Sequence, residues 1–163
     1  MAIADINGDG LTDILVANVN AGTASVLLST TATGASTFSF GTHVDFTAGS
    51  GATWVAASDV DGDGRLDLLV ANKFAHSVSV LINTAAVGAG TPTFSASAAL
   101  QTDDDPMAVA LFDFNGDGQL DVVTANASAT ANVLLNRRLR ATINTGTATG
   151  TINHDEIFGD GFE

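Results

Sequence analysis

A nine-residue acidic segment occurs three times in the chain at a constant spacing. Its copies are DINGDGLTD at residues 5–13, DVDGDGRLD at residues 59–67 and DFNGDGQLD at residues 113–121. The first aspartates of the copies, Asp5, Asp59 and Asp113, are separated by two intervals of 54 residues. A period of this length indicates a repeat architecture, in which each repeat buries its apolar face against its neighbours.

The density of carboxylates in each segment favours a bound cation. Two unit charges about 4 Å apart repel each other by about 1 kcal/mol in water, and by more near a protein surface. The donors are oxygen groups with no Cys or His nearby, which favours a hard ion. A mixed set of Asp, Asn and backbone carbonyl oxygens suits Ca²⁺ better than Mg²⁺. We therefore predict up to three structural Ca²⁺ ions.

The predicted ligands occupy positions 1, 3, 5, 7 and 9 of each segment, and position 7 would contribute its backbone carbonyl. Glycines at positions 4 and 6 allow the positive φ that a backbone curled around an ion requires. The middle copy has an aspartate at position 3 where the others have asparagine, so we expect it to bind most tightly. The predicted metal ligands are Asp5, Asn7, Asp9, Leu11 and Asp13; Asp59, Asp61, Asp63, Arg65 and Asp67; and Asp113, Asn115, Asp117, Gln119 and Asp121.

Other acidic loops fit the sequence less well. An EF-hand requires a bidentate Glu at loop position 12 and flanking helices. Position 12 here is Val16, Val70 or Thr124, and a strand pattern follows each segment. The same need for helices disfavours a dockerin-like loop, and thrombospondin-type calcium repeats depend on disulfides that a chain without Cys lacks. Metal-free acidic turns remain an alternative, although turn chemistry does not explain the aspartate at position 9.

Short apolar runs surround each segment in the same order and predict four strands per repeat. The first strand precedes the segment, at residues 1–4, 55–58 and 109–112, and the second follows it, at residues 14–18, 68–72 and 122–126. Third strands are expected at residues 25–28, 79–82 and 132–135, and fourth strands at residues 37–40 and 93–96. No stretch of about ten residues has helical periodicity. An all-β fold of four-stranded β-propeller blades is therefore predicted.

The acidic segments, together with DLLVAN at residues 67–72 and SVSVL at residues 77–81, resemble FG-GAP/VCBS-type repeats. Such repeats are the calcium-loop blades also found in integrin α-subunit propellers. The resemblance covers residues 1 to about 136 and predicts three blades at about 1–50, 51–104 and 105–136, the first and last incomplete. Residues 137–163 are expected to form a C-terminal tail, a weak strand followed by disorder.

Propellers of this family usually have about seven blades, so three repeats form only a partial propeller. Three blades lie below the range of roughly four to eight that closes a ring. We therefore expect further blades, either from a longer chain or from self-association of this one.

The resemblance implies a non-enzymatic, calcium-binding segment of an extracellular or cell-surface protein, with a role in adhesion or in binding a protein or glycan. Near-millimolar extracellular Ca²⁺ keeps modules of moderate affinity loaded. The alternative is a non-catalytic scaffold portion of a secreted polysaccharide-active enzyme. No catalytic residues are predicted, because the chain has no recognisable constellation of acid, base and substrate-binding Arg.

Composition excludes several other classes. The chain has 18 acidic and 5 basic residues and a net charge of −13, and ten of the acids lie in the three segments. Three Ca²⁺ ions would reduce this charge to −7, which still makes nucleic acid an unsuitable partner. We expect no membrane span, since no stretch approaches the roughly 20 apolar residues that one requires. We also expect no signal peptide, because residues 1–4 lead directly into the first acidic segment.

Overall fold

A computed structural model describes residues 1–96, 98–102 and 105–136 and shows an all-β chain. The described strands form three antiparallel sheets, and the one helical element among them is a single 3-10 turn at Lys73–Ala75. The predicted all-β fold of four-stranded repeats is confirmed. Within these residues no helix is long and apolar enough to cross a membrane. The predicted tail, residues 137–163, lies outside the described part of the chain.

Each sheet is a meander whose strands are neighbours in chain order. The first sheet contains β1 (Ala2–Ala4), β2 (Asp13–Asn18), β3 (Thr23–Leu27) and β4 (Val44–Thr47). The second sheet contains β5 (Ala52–Ser58), β6 (Asp67–Asn72), β7 (Ser77–Leu81) and β8 (Ala98–Gln101). The third sheet contains β9 (Pro106–Phe112), β10 (Asp121–Asn126) and β11 (Ala131–Leu134). Four-stranded meanders of this kind are consistent with propeller blades, and the three sheets do not close into a ring.

The fourth strand does not lie where its sequence pattern predicts it. Residues 37–40 and 93–96 contribute only isolated bridges, Ser29 with Phe40 and Asn83 with Phe94. The strands that complete the sheets are β4 and β8, which pair with β3 and β7. An alternating run forms a strand only beside a partner with free backbone groups, and residues 37–40 lie beyond the end of β3.

The second sheet is covered on both faces, which explains its continuous apolar runs. Every residue of β6 is buried. Leu68 and Val70 belong to a core shared with the first sheet, whereas Leu69 belongs to a core shared with the third sheet. The first strand of the sheet, β5, packs against β2 on one side and β9 on the other. Strands buried on both faces lose the alternation of polar and apolar residues that a half-exposed strand has.

Candidate metal centre

Each acidic segment forms the loop between the first and second strands of its sheet. Residues 5–13 join β1 to β2, residues 59–67 join β5 to β6, and residues 113–121 join β9 to β10. Gly62 and Gly64 have φ angles of +77° and +88°, and the other two loops repeat this pair of left-handed glycines. Glycine takes this conformation without the steric cost of a Cβ, so the same tight loop forms three times.

The first aspartate of each loop holds the backbone in a curl. Oδ1 of Asp59 accepts hydrogen bonds from the N–H groups of Gly62 (2.8 Å) and Asp63 (3.2 Å), and its Oδ2 accepts one from Gly64 (2.9 Å). Asp113 makes the same three contacts in the third loop, at 2.7, 3.2 and 2.9 Å. These bonds fix the loop backbone around the carboxylate of its first aspartate.

The aspartate at position 5 is engaged by its own loop. In the second loop, Oδ1 of Asp63 accepts the N–H of Arg65 at 2.9 Å, and its Oδ2 pairs with the Arg65 guanidinium. In the first loop the side-chain amide of Asn7 donates to Asp9 at 3.0 Å, and the third loop repeats this contact at the same distance. These contacts orient the position-5 carboxylates, and in the second loop the Arg65 guanidinium also partly neutralises the charge of Asp63.

The aspartate at position 9 is fully buried in all three loops and bonds to backbone through both oxygens. Oδ2 of Asp67 accepts the N–H of Val60 at 2.9 Å, and Oδ1 accepts that of Asn83 at 2.8 Å. The other two loops repeat the pair of bonds at 2.7 and 2.8 Å. This aspartate therefore ties its loop to the end of the third strand. Such bonding provides a reason for an aspartate at position 9 that does not require a metal.

Burial of these carboxylates makes their charge costly. Desolvation raises the pKa of Asp67 to about 6, and the two backbone hydrogen bonds from Asn83 and Val60 only partly oppose it. Burial likewise raises the pKa of Asp13 and Asp121, again against two backbone hydrogen bonds each. Neighbouring loop aspartates raise all three further. A cation close to these carboxylates would lower their pKa, against both desolvation and the neighbouring aspartates, because it favours the charged form.

The second loop brings three carboxylates together. One oxygen from each of Asp59, Asp61 and Asp67 lies within 4.8 Å of the other two. Asp63, which pairs with Arg65, is not part of this cluster. Three carboxylate oxygens without nitrogen or sulfur donors fit a hard divalent cation such as Ca²⁺.

The position-7 residues are predicted to act through their carbonyls. In the structure, the N–H groups of Leu11, Arg65 and Gln119 bond to the position-5 aspartates. Their role as carbonyl ligands stays a prediction. Arg65 also has a side-chain role that its sequence position does not reveal, because its Nε donates to the carbonyl of Asn83 at 2.9 Å.

Two asparagines join neighbouring loops and are missed by the sequence reasoning. The Asn83 side-chain amide donates to the carbonyl of Ile6 in the first loop (2.8 Å) and to that of Leu66 in its own loop (2.9 Å). Asn136 repeats this bridge between the second and third loops, to Val60 and Leu120, both at 3.2 Å. A signal was available, because both asparagines directly follow the predicted third strand at equivalent repeat positions.

The linker after β7 covers the first loop. The carbonyl of Asn7 accepts the N–H of Gly88 at 2.6 Å, and the Asn7 side-chain amide donates to the carbonyl of Ala89 at 3.0 Å. Val87 lies against Gly8, where an added Cβ would come within 3.2 Å of it. A stretch that reads as low-complexity linker is therefore part of the surroundings of the neighbouring loop.

Comparison with known families agrees with this geometry. A profile that describes the FG-GAP-like repeat matches the chain at residues 5–70 and 59–124. Each match begins at the first aspartate of one loop and extends through the next loop of the chain into the strand that follows it. A comparison with proteins of curated function gives no significant match.

Proposed function

The chain belongs to the FG-GAP-like repeat family and is a repeat segment of a β-propeller-like protein, and we propose that its three loops bind structural calcium. Repeats of this family are generally structural rather than catalytic. The predicted ligands would be the carboxylates and amides at positions 1, 3, 5 and 9 of each loop, with the position-7 carbonyl completing the set.

The cluster of Asp59, Asp61 and Asp67 carries this proposal. Three carboxylate oxygens within 4.8 Å of one another repel strongly, and Asp67 is fully buried. Metal-free acidic turns account for the backbone bonding of Asp59 and Asp67, but they leave this concentration of charge uncompensated. A divalent ion bound among the three carboxylates would offset this negative charge.

Calcium would stabilise the loops that space the sheets. Each loop joins the first two strands of a sheet, and an asparagine links it to a neighbouring loop. A site filled at ten times its dissociation constant adds about 1.4 kcal/mol to the free energy of unfolding, so three sites add about 4 kcal/mol. This is a large share of the 5–15 kcal/mol that is typical of a folded domain.

An extracellular or cell-surface setting follows from the kind of site proposed. Loops with a moderate calcium affinity, of about 10⁻⁴ to 10⁻³ M, are filled where calcium is near millimolar. Adhesion, through a protein or glycan ligand, stays a prediction that follows from the family resemblance.

A thermal melt followed by circular dichroism tests the calcium proposal. We expect millimolar Ca²⁺ to raise the melting temperature by about 8–16 °C over the chelated chain, which corresponds to about 4 kcal/mol for a domain of this size. Excess chelator should reverse the rise. Magnesium at the same concentration serves as the control and should give a smaller shift, since it loses its water reluctantly. A folded chain whose melting temperature is insensitive to calcium would refute the proposal.

A further inference from the structure

The second sheet shows what each face of a repeat is built to contact. The face that packs on the first sheet, here called the N-face, carries Val55, Leu68, Val70 and Leu81. The face that packs on the third sheet, here called the C-face, carries Leu69, Val78, Val80 and Leu100. Both internal interfaces of the chain therefore join the C-face of one sheet to the N-face of the next.

The N-face of the first sheet is apolar but has no described strand packed on it. Strand register and the repeat spacing place Ile3, Ile14, Val16 and Leu27 on this face. Ile3 is 67% exposed, and the other three are only partly buried, whereas Leu68, Val70 and Leu81 at the equivalent positions of the second sheet are at most 1% exposed. A sheet face that meets solvent normally carries polar residues at these positions.

The C-face of the third sheet is the complementary free surface. Ala110, Val123 and Ala125 lie on it, at the positions of Ala56, Leu69 and Ala71 in the second sheet. Leu69 and Ala71 are fully buried, whereas Val123 is partly buried and Ala125 is exposed. The described sheets thus leave one N-face and one C-face uncovered.

We propose that two copies of this chain associate head to tail, with the C-face of the third sheet of each copy packed on the N-face of the first sheet of the other. This contact would repeat the one that the chain already makes twice internally. Two copies supply six sheets, within the roughly four to eight blades that close a propeller, whereas three copies would supply nine. Because a two-copy ring contains two equivalent contacts, it covers both of these faces in each copy.

The asparagine bridge indicates how strong this contact is. At both internal interfaces an asparagine donates to the carbonyl at loop position 2, Ile6 or Val60. The third loop presents the equivalent carbonyl at Phe114, and the residue that would approach it from the next sheet is Ser29, at the repeat position of Asn83. A serine hydroxyl is shorter than an asparagine amide, so the contact between copies lacks this bridge. We therefore expect association that is weaker than the internal interfaces and depends on concentration.

Sedimentation velocity of the full chain over a concentration series tests the proposal. We expect a species of twice the 16.4 kDa chain mass at high concentration. Ile3→Glu and Val123→Glu should each give monomers, because a charge on either face disrupts both contacts. Phe38→Ser is the matched control: this side chain is 87% exposed but belongs to none of the strands that form the two faces, so its removal should leave the dimer unchanged.

Two further measurements separate this dimer from misfolding or from another interface. Mixing the Ile3→Glu and Val123→Glu chains should restore association, since one of the two contacts in the mixed ring carries neither substitution. Ser29→Asn should tighten the dimer by about thirtyfold, because each of the two contacts gains one net hydrogen bond of about 1 kcal/mol, whereas Ser29→Ala should not tighten it.

The proposal is independent of calcium, because strands and not loops form both faces. The sedimentation series is therefore run both in calcium and in chelator, and circular dichroism is used to check that the chain is folded to the same extent in both. A folded wild-type chain that stays monomeric at about 100 µM in both conditions would overturn it and leave these faces to sheets of a different chain. A dimer that survives Val123→Glu would also overturn it, since it would use another surface.

Discussion

Replacing Asn83 with alanine should destabilise the chain more than its position at the end of a strand suggests. The Asn83 side chain is 1% exposed and makes three hydrogen bonds. Its amide donates to the carbonyls of Ile6 and Leu66, and its Oδ1 accepts the N–H of Ala85 at 3.0 Å. Asn83→Ala leaves these three backbone groups without their partner, whereas the backbone bonds of residue 83 itself remain possible.

The size of the effect follows from those three groups. A buried polar group that loses its partner costs about 1–3 kcal/mol, and water entering the space left by the side chain reduces this cost. Taking the lower end for each, we expect a loss of about 3 kcal/mol in the free energy of unfolding. For a domain of this size that corresponds to a melting temperature lower by about 6–12 °C.

The assay is thermal and urea unfolding followed by circular dichroism, with saturating calcium so that the loops are compared in one state. Ser29→Ala is the matched control, because Ser29 occupies the same position of the first repeat but accepts only one backbone bond through its hydroxyl, from Thr31 at 3.3 Å. We expect it to cost about 1 kcal/mol or less. If Asn83→Ala costs no more than Ser29→Ala, the bridge between loops does not contribute to stability and the reasoning fails.

Three further changes test the loops and the backbone. Asp61→Asn should weaken calcium binding at the second loop about fivefold, because it removes one charge worth about 1 kcal/mol. Asp45→Asn, which lies outside the loops, should leave the affinity unchanged. Equal calcium affinities for the two variants, measured by calorimetry, would contradict this. Burial raises the pKa of Asp67 from 3.8 to about 6, so the folded chain holds more protons than the unfolded chain between these values. The stability of the metal-free chain should therefore fall as pH rises through this window and level off above it, while calcium affinity rises; urea unfolding in chelator that shows greater stability at about pH 7.5 than at about pH 5 would count against this. Gly51 and Gly34 share a φ near +75°, but a Cβ at Gly51 would lie 2.7 Å from a backbone nitrogen and one at Gly34 would meet nothing within 4 Å. We expect Gly34→Ala to cost about 1 kcal/mol and Gly51→Ala at least about 3 kcal/mol, and equal melting temperatures for the two variants would show that the close contact relaxes freely.

Local sequence patterns predicted the loops and the first three strands of each repeat. The nine-residue segments carry their own turn chemistry, since the first aspartate of each accepts backbone N–H groups no more than five residues away and the glycines have positive φ. Apolar runs directly before and after each segment defined the flanking strands, and the 54-residue period showed that one unit was repeated.

The fourth strand shows where such patterns fail. Polar and apolar residues alternate at 37–40 as they should in a strand, yet Phe38 is 87% exposed and the sheet is completed by β4. An edge strand has one partner, so its place depends on the register of that partner as well as on its own side chains. In the structure Val26 of β3 pairs with Val44, about 18 residues away across a loop whose path the sequence does not specify.

What the sequence determined by itself is therefore the repeat, its loop and its strand-forming core, because these depend on residues close together in the chain. Only the tertiary structure decided how the repeats join. Asn83 bonds to Ile6 across 77 residues, and the aspartate at position 9 bonds to a backbone group 15 or 16 residues further along. These contacts exist because stacking the sheets brings one loop beside the next and removes these groups from water. An amide or carboxylate that is buried in this way is costly unless it is paired.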